Sequence, residues 1–513
     1  MAGRQVKVQW IERFKGYADI VNVSDNPILS NDMRNIHPYI GRLEGRGGLA
    51  KYLSISTAAS TSIIGLFNYR LSSGTHQLIR LLRNGVEKIS GGVWTSIEGT
   101  ALTTVPETTQ PQSTIIDDTL IFTNSTDQPQ KYIGSGTTAP IASATSPYGK
   151  GVIAYLGLLF IFNASLDGSF TDVTDGHRLG YWADDWDSTW DSCDGNFIIL
   201  DETPGAWLAS TIIGRSMFCF KSDGVVKITF TPGAALTPRF QHLLIPGAVG
   251  IISPLALWAV GTAEVYYLGT NAVIYKVAEN GIEPISHIML TTLLSDTYSL
   301  DKLQFARGLI DPQKNAGYFF YDRTGLSNQL NDSYVGYNYY TKEFFPGQLG
   351  VSINAAVDFK ATDRAAQQLI LASPTLVENF NATAINDDGV VASRYWTSNW
   401  QKLNEVGWFH GCKIIAKRAI GVRLKVTFAL DGNEDFGFAR YMTLDGGRPS
   451  DTIVTIDATI PPMLAEVVNI KIEIYHDSTS SASIIEKVGL LLQTINAIDE
   501  RNNRGMASNK SVA

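Results

Sequence analysis

The sequence is poor in the residues that usually announce chemistry or a covalent framework. It has three cysteines in 513 residues, Cys193, Cys219 and Cys412, an odd set without C-x-x-C spacing. Neither a disulfide framework nor a cysteine zinc site can be read from them, and buried free thiols are expected. Charged residues make up 18%, and 41 basic against 49 acidic side chains leave a net charge of −8. That balance argues against a protein that grips nucleic-acid phosphates through a basic face. The first ten residues, Met-Ala-Gly-Arg-Gln-Val-Lys-Val-Gln-Trp, lack the continuous apolar stretch of a secretory leader. One window, Ile245 to Ala263, is long enough without charge to span a bilayer. Pro246, Pro254 and several glycines break it, so the expectation is a pair of buried sheet strands and no integral membrane segment.

Catalytic signatures are equally scarce. There is no G-x-S-x-G, no H-E-x-x-H and no phosphate loop, because Gly149-Lys150 has Ala144 and Gly151 at the positions that such a loop needs filled by glycine and Ser/Thr. Gly45-x-Gly47-x-x-Ala50 fits a loose dinucleotide fingerprint, but no apolar strand precedes it and no helical pattern follows. The seven histidines are scattered. Paired carboxylates such as Asp117 with Asp118, or Asp201 with Glu202, do not by adjacency converge on one cleft as glycoside hydrolysis requires. The expectation is a protein that is not an enzyme, with no catalytic residues and no cofactor.

What the sequence has is strand grammar. Runs of four to eight β-branched and aromatic residues, punctuated by Gly, Asn, Asp or Ser, recur from Ile63 onward, while sustained helical periodicity is almost absent. Strand-turn-strand units start near Leu78, Ile115, Val152, Ile212, Leu257, Tyr318 and Leu369. Their irregular spacing brackets the roughly 40 to 50 residues of a four-stranded propeller blade. Asn84-Gly85 between two such runs predicts a type I′ hairpin turn. The predicted fold is all-β: an extended N-terminal arm (1–50), a degenerate six- or seven-bladed β-propeller (51–388), an antiparallel C-terminal β-sandwich (389–499) and a flexible tail (500–513). Stacked sandwiches in place of the propeller would use the same hairpins.

Acidity is concentrated in the middle of the chain. Between Gly151 and Glu202 there are ten acidic residues against Arg178 alone. Within that stretch Tyr181-Trp-Ala-Asp-Asp-Trp-Asp-Ser-Thr-Trp-Asp-Ser-Cys-Asp194 is the most unusual segment. Asp185, Asp187 and Asp191 form a weak calcium candidate, since Thr189 stands at the fifth position of a calcium loop and Trp190 where its sharp-turn glycine belongs. Asp431-x-Asn433-x-Asp435 fails similarly, with Phe436 and Met442 at the decisive places. Trp182, Trp186 and Trp190 suit packing between blades, an inter-subunit contact or stacking on a sugar.

The order of segments resembles the β-propeller tail hub or nozzle proteins of short-tailed bacteriophages. The likeness runs over about 40 to 490 and rests on short motifs. An arm ends in the turn Gly41-Arg-Leu-Glu-Gly-Arg-Gly-Gly48; an apolar strand pair, Leu156-Gly-Leu-Leu-Phe-Ile-Phe, precedes His177-Arg-Leu-Gly-Tyr-Trp-Ala-Asp-Asp-Trp-Asp. A strand ends in Phe-Lys at Met217-Phe-Cys-Phe-Lys221, Gly250-Ile-Ile-Ser-Pro254 follows as a further strand, and the last module opens with Tyr395-Trp-Thr-Ser-Asn-Trp400 and a Lys-rich strand from Lys413. The segment after His177 is more acidic and Trp-rich than the family pattern. The resemblance implies a structural virion protein that forms a sixfold ring below the portal and adaptor, passes DNA without binding it specifically, and carries tail fibres or a needle. It would be found in the virion tail, and in the host cytoplasm during assembly. A net-acidic wall is compatible with such a conduit, because it repels phosphates. The competing expectation is a glycan-binding propeller, viral or lectin-like, followed by a polysaccharide lyase or glycosidase.

Overall fold

The computed structural model describes residues 7–11, 30–39, 42–46, 48–52, 60–141, 147–170, 175–181, 196–231, 240–286, 303–323, 331–381, 386–387, 390–391, 394–398, 401–419, 421–431, 437–444, 453–476 and 484–494. Among these residues the secondary structure is nearly all strand, with a 3₁₀ turn at Asp175–His177. No helix among the described residues is long and apolar enough to cross a membrane. The chain divides into two compact units. One comprises Leu49–Tyr340 and Leu349–Phe380, and the other comprises Met1–Gly48, Thr341–Gln348 and Asn381–Ala513.

The first unit is a succession of antiparallel sheets. The first sheet is Ile63–Arg70, His76–Leu82, Gly85–Ser90 and Val93–Ser96, and the second is Gln112–Ile116, Thr119–Thr123, Gln130–Tyr132 and Ala139–Pro140. Tyr148–Tyr155, Leu158–Ser165, Arg178–Tyr181 and Asn196–Ile199 make the third; Trp207–Ile213, Ser216–Lys221, Val225–Phe230 and Phe240–Leu244 make the fourth. The fifth is Leu257–Val260, Glu264–Leu268, Ile274–Ala278 and Gly281–Pro284, and the sixth is Arg307–Asp311, Ala316–Tyr321, Asn331–Asn338 and Glu343–Ile353. The seventh has three consecutive strands, Ala355–Phe359, Gln368–Ala372 and Val377–Asn381, and the next in its hydrogen-bonding order is Gly48–Lys51, from before the first sheet. Each predicted unit start falls in a different sheet.

The sheets close on themselves. The first strand of the first sheet touches that of the second, the second that of the third, and the third that of the fourth. The fourth is joined to the fifth through Glu264–Leu268, after which first strands meet again from the fifth to the sixth, the sixth to the seventh, and the seventh back to the first. This ring of meandering sheets is consistent with a β-propeller. Apolar clusters fill the gaps between neighbouring sheets because alternate strand residues face opposite sides. Phe162 stacks on Trp207 (5.2 Å, 15°) between the third and fourth, and Phe67 lies against Phe122 between the first and second. Between the seventh and the first, Tyr52 packs among Ile63, Leu82, Phe359 and Ile370, with its ring edge-on to Phe359 (6.1 Å, 88°).

Several local expectations are corrected. The hairpin after Leu82 turns on Arg83 and Asn84, with Leu82 paired to Gly85, and none of these residues has positive φ. Tertiary contacts fix it instead: Arg83 Nε donates to Val105 O (2.7 Å) and Thr61 Oγ1 to Asn84 Oδ1 (2.9 Å). A turn with both central residues at positive φ does occur at Asp117 and Asp118 (46° and 57°). The uncharged window contains one strand, Leu257–Val260, rather than two, since residues before it run as a loop.

The second unit gathers both ends of the chain into one hydrogen-bonded sheet of ten strands. Lys7–Ile11 pairs with Ile484–Thr494, Ser30–Arg34 with Arg394–Ser398, and Leu43 opposes Ile485. The long strand Ile453–His476 pairs with Gln401–Lys417 along its first half and with Val422–Leu430 along its second. The described residues among the first 50 are therefore paired into sheets and are not an extended arm, and the described strands of the C-terminal module do not form a self-contained sandwich over 389–499. Ile11, Met33, Ile36 and Leu43 are buried in this unit, so pairing removes apolar surface as well as satisfying backbone groups. The expected tail, 500–513, lies outside the described residues.

Candidate functional site

The first strands of the seven sheets surround a common cavity of about 460 Å³. Leu66, Val152, Ile212 and Leu257 supply apolar wall, and Gln112, Ser113, Thr114, Ser210 and Thr211 supply polar groups. Among the described residues the one charged side chain lining it is Arg307, at the start of the sixth sheet. Only 7% of Arg307 is exposed, and its Nη2 donates to Ile64 O of the first sheet (3.2 Å), past the position of the seventh. Burial alone lowers its pKa to about 9, with no carboxylate opposing the effect. Two hydroxyls of the same lining are oriented by the fold: Thr114 Oγ1 accepts from the Ala154 N–H (2.9 Å), and Ser210 Oγ from the Trp207 indole N–H (2.8 Å).

A second polar centre, Lys221, ends the second strand of the fourth sheet and is fully buried. Its Nζ donates to Leu200 O (2.8 Å) and Thr203 O (2.6 Å) and lies 3.2 Å from His177 Nδ1. Burial lowers its pKa, opposed by Asp223, Glu202 and Asp201. Its carbonyl accepts the Ile251 N–H (3.0 Å). Gly250 is required here, because a Cβ would stand 2.1 Å from the Ser222 carbonyl carbon. Gly250 to Pro254 is thus a loop pressed on the Lys221 turn, not the strand expected from the sequence. Ser253 Oγ in that loop donates to Ala306 O (2.7 Å), and Pro254 lines the cavity. Three motifs far apart in sequence, His177–Tyr181, Met217–Lys221 and Gly250–Pro254, meet at this node. Nothing in the lysine's position along the chain announced that it would be buried.

The residues singled out in the acidic segment, Trp182, Trp186, Trp190, Asp185, Asp187 and Asp191, lie outside the described residues, as does Cys193. The segment's flanks are the third and fourth strands of the third sheet, where Tyr181 is buried and stacks on Phe160 (5.4 Å, 26°). Four of its ten acidic residues are described. Asp167 is held low, to about 2, by the Ser169 N–H with the Ser169 and Ser165 hydroxyls, Asp175 is buried against Arg178 (2.7 Å), and Glu202 pairs with His242; Asp201 is exposed. The other paired-carboxylate pattern is also committed elsewhere: Asp118 accepts from Ser72 N–H (2.6 Å) and its hydroxyl. Gly149-Lys150 lies within a strand, and the glycines near residue 45 lead into the strand Gly48–Lys51, so neither forms the helix N-terminus of a phosphate site. Cys219 and Cys412 are buried, and burial pushes both thiols well above their usual range. No group of three or more His, Cys, Asp or Glu suited to a metal occurs among the described residues.

No family model and no curated protein matches the chain. Among solved structures it is similar to the crystal structure of BBS1N in complex with ARL6DN, soaked with mercury, at 10% identity and a TM-score of 0.39, covering 66% of this chain and 99% of that one. It is also similar to a chain in the crystal structure of the mitotic checkpoint complex, at 10% identity and a TM-score of 0.38, covering 72% of this chain and all of that one.

Proposed function

We propose that the chain is a structural, non-enzymatic tail hub or nozzle subunit of a short-tailed bacteriophage, whose first unit is a seven-bladed β-propeller closed by Gly48–Lys51. What supports the reading is the meeting of His177–Tyr181, Met217–Lys221 and Gly250–Pro254 at buried Lys221. The motifs that carry the resemblance act together as one structural node, as architectural signatures do. The seven sheets, contacting in sequence and returning to the first, support the blade count. In this proposal the subunit assembles as a hexamer on the portal and adaptor ring, carries fibres or a needle, and resides in the virion tail after assembly in the host cytoplasm. Genome passage runs through the lumen of that ring. The cavity inside one propeller, about 460 Å³, has the size of a small-molecule site and cannot admit a duplex.

The test is to mix purified protein with the portal and adaptor complex of the phage that encodes it and image the product by electron microscopy. A sixfold ring that forms on this template, and not without it, is the expected result. Absence of any association, together with absence of the protein from purified virions, would overturn the proposal.

A further inference from the structure

The central cavity holds a feature that the tail reading does not use. Arg307 carries five N–H donors, and the one hydrogen bond it makes is to Ile64 O. No carboxylate pairs with it, although it is more than nine-tenths buried. A buried cation without a counter-charge is energetically costly, so such groups are ordinarily paired or engage a ligand. The guanidinium extends from the sixth sheet toward the first, and both strands line the same cavity. Its planar fork matches a carboxylate or phosphate group in a way that a lysine would not. Around it the wall offers hydroxyls instead of competing anions, from Ser113, Thr114 and Thr211. Thr114 already accepts a backbone N–H, which leaves its own proton to donate. Among the described residues no aspartate or glutamate lines the cavity. The volume, about 460 Å³, lies within the range that encloses small ligands.

We infer that this cavity is a binding site for the carboxylate or phosphate group of a small molecule, held by Arg307 with Thr114 as a hydroxyl donor. The site stands on the geometry of one unit and is independent of the tail assignment. Two other buried basic groups of the same unit do not make such a site. Lys221 is satisfied by carbonyl oxygens, and Arg80 is paired with Glu87 beneath the Trp94 ring.

The experiment uses the full chain, titrated separately with inorganic phosphate, acetate and citrate at constant ionic strength, with chloride as reference. Thermal denaturation and isothermal titration calorimetry are the readouts. The expected result is a saturable rise in melting temperature and one-to-one binding for at least one of the three anions; phosphate against acetate and citrate distinguishes the two chemistries. Arg307→Gln should weaken that binding at least tenfold and Thr114→Val several-fold, while Lys227→Gln, on the fourth sheet and away from the cavity lining, should leave it unchanged. A shift that never saturates, or wild-type affinity in Arg307→Gln, would overturn the inference. Should Arg307→Gln fail to fold, Thr114→Val decides: weakened binding upholds the site, and unchanged binding refutes it.

Discussion

Closure of the ring by a strand from before the first sheet gives a quantitative expectation for Tyr52. This residue follows Gly48–Lys51 directly, is 6% exposed, and sits in the cluster that joins the seventh sheet to the first. A buried tyrosine removes about 150 to 250 Å² from water, which at about 25 cal/mol/Å² is worth roughly 4 to 6 kcal/mol. Truncation to alanine keeps the Cβ but leaves a cavity beside Phe359, so Tyr52→Ala should cost about 3 to 5 kcal/mol. In a unit of several hundred residues each kcal/mol lowers Tm by about 2 °C, for a total of roughly 6 to 10 °C. Burial raises the pKa of the Tyr52 hydroxyl, but no hydrogen bond from it is formed among the described residues. Tyr52→Phe should therefore cost less than about 1 kcal/mol, since it keeps the ring and breaks no hydrogen bond to the protein. Urea denaturation followed by tryptophan fluorescence measures both variants. A loss below about 1 kcal/mol in Tyr52→Ala would show that the N-terminal strand is not what holds the first and last sheets together.

Three further outcomes are expected. Gly317→Ala would place a Cβ 2.0 Å from Trp258, whose ring is stacked on Tyr266 at 4.2 Å, so it should destabilise by about 2 kcal/mol or more in the same denaturation assay; wild-type stability would refute the packing. Burial pushes the Tyr69 hydroxyl up to about 12, helped by the nearby Asp118 and Tyr132, and burial raises Tyr267 as well. The unfolded state then loses these protons first, so stability is full below about pH 10 and falls as pH rises toward about 12. Melting curves at pH 9, 10 and 11 should show the decline, with a smaller slope in Tyr69→Phe; an equal slope would refute the assignment. Deleting residues 1–11 removes one of the strands paired with Ile484–Thr494 and exposes the surface that Ile11 covers, so the second unit should lose about 2 to 4 kcal/mol and aggregate more readily through the freed strand edge; light scattering and melting identical to the full chain would contradict the pairing.

The succession of sheets was legible in the sequence, because strand formation leaves a local record. Alternating apolar residues and turn residues between Leu78 and Leu369 mark units that need no distant information to be recognised. Pairing between distant segments leaves no such record, since one backbone ladder serves almost any residues. Hence Gly48–Lys51 gave no sign that it extends the seventh sheet, and Lys7–Ile11 none that it borders Ile484–Thr494. The hairpin at Asn84 read wrongly because contacts from Val105 and Thr61 outweigh the local preference of Asn-Gly. Arg307 was equally silent, being one arginine among many in the sequence. Only the closing of the ring withdraws it from water and sets it, without a counter-charge, in the wall of a cavity. Desolvation is a property of the assembled sheets, so the tertiary structure alone could decide which basic residue became a candidate site.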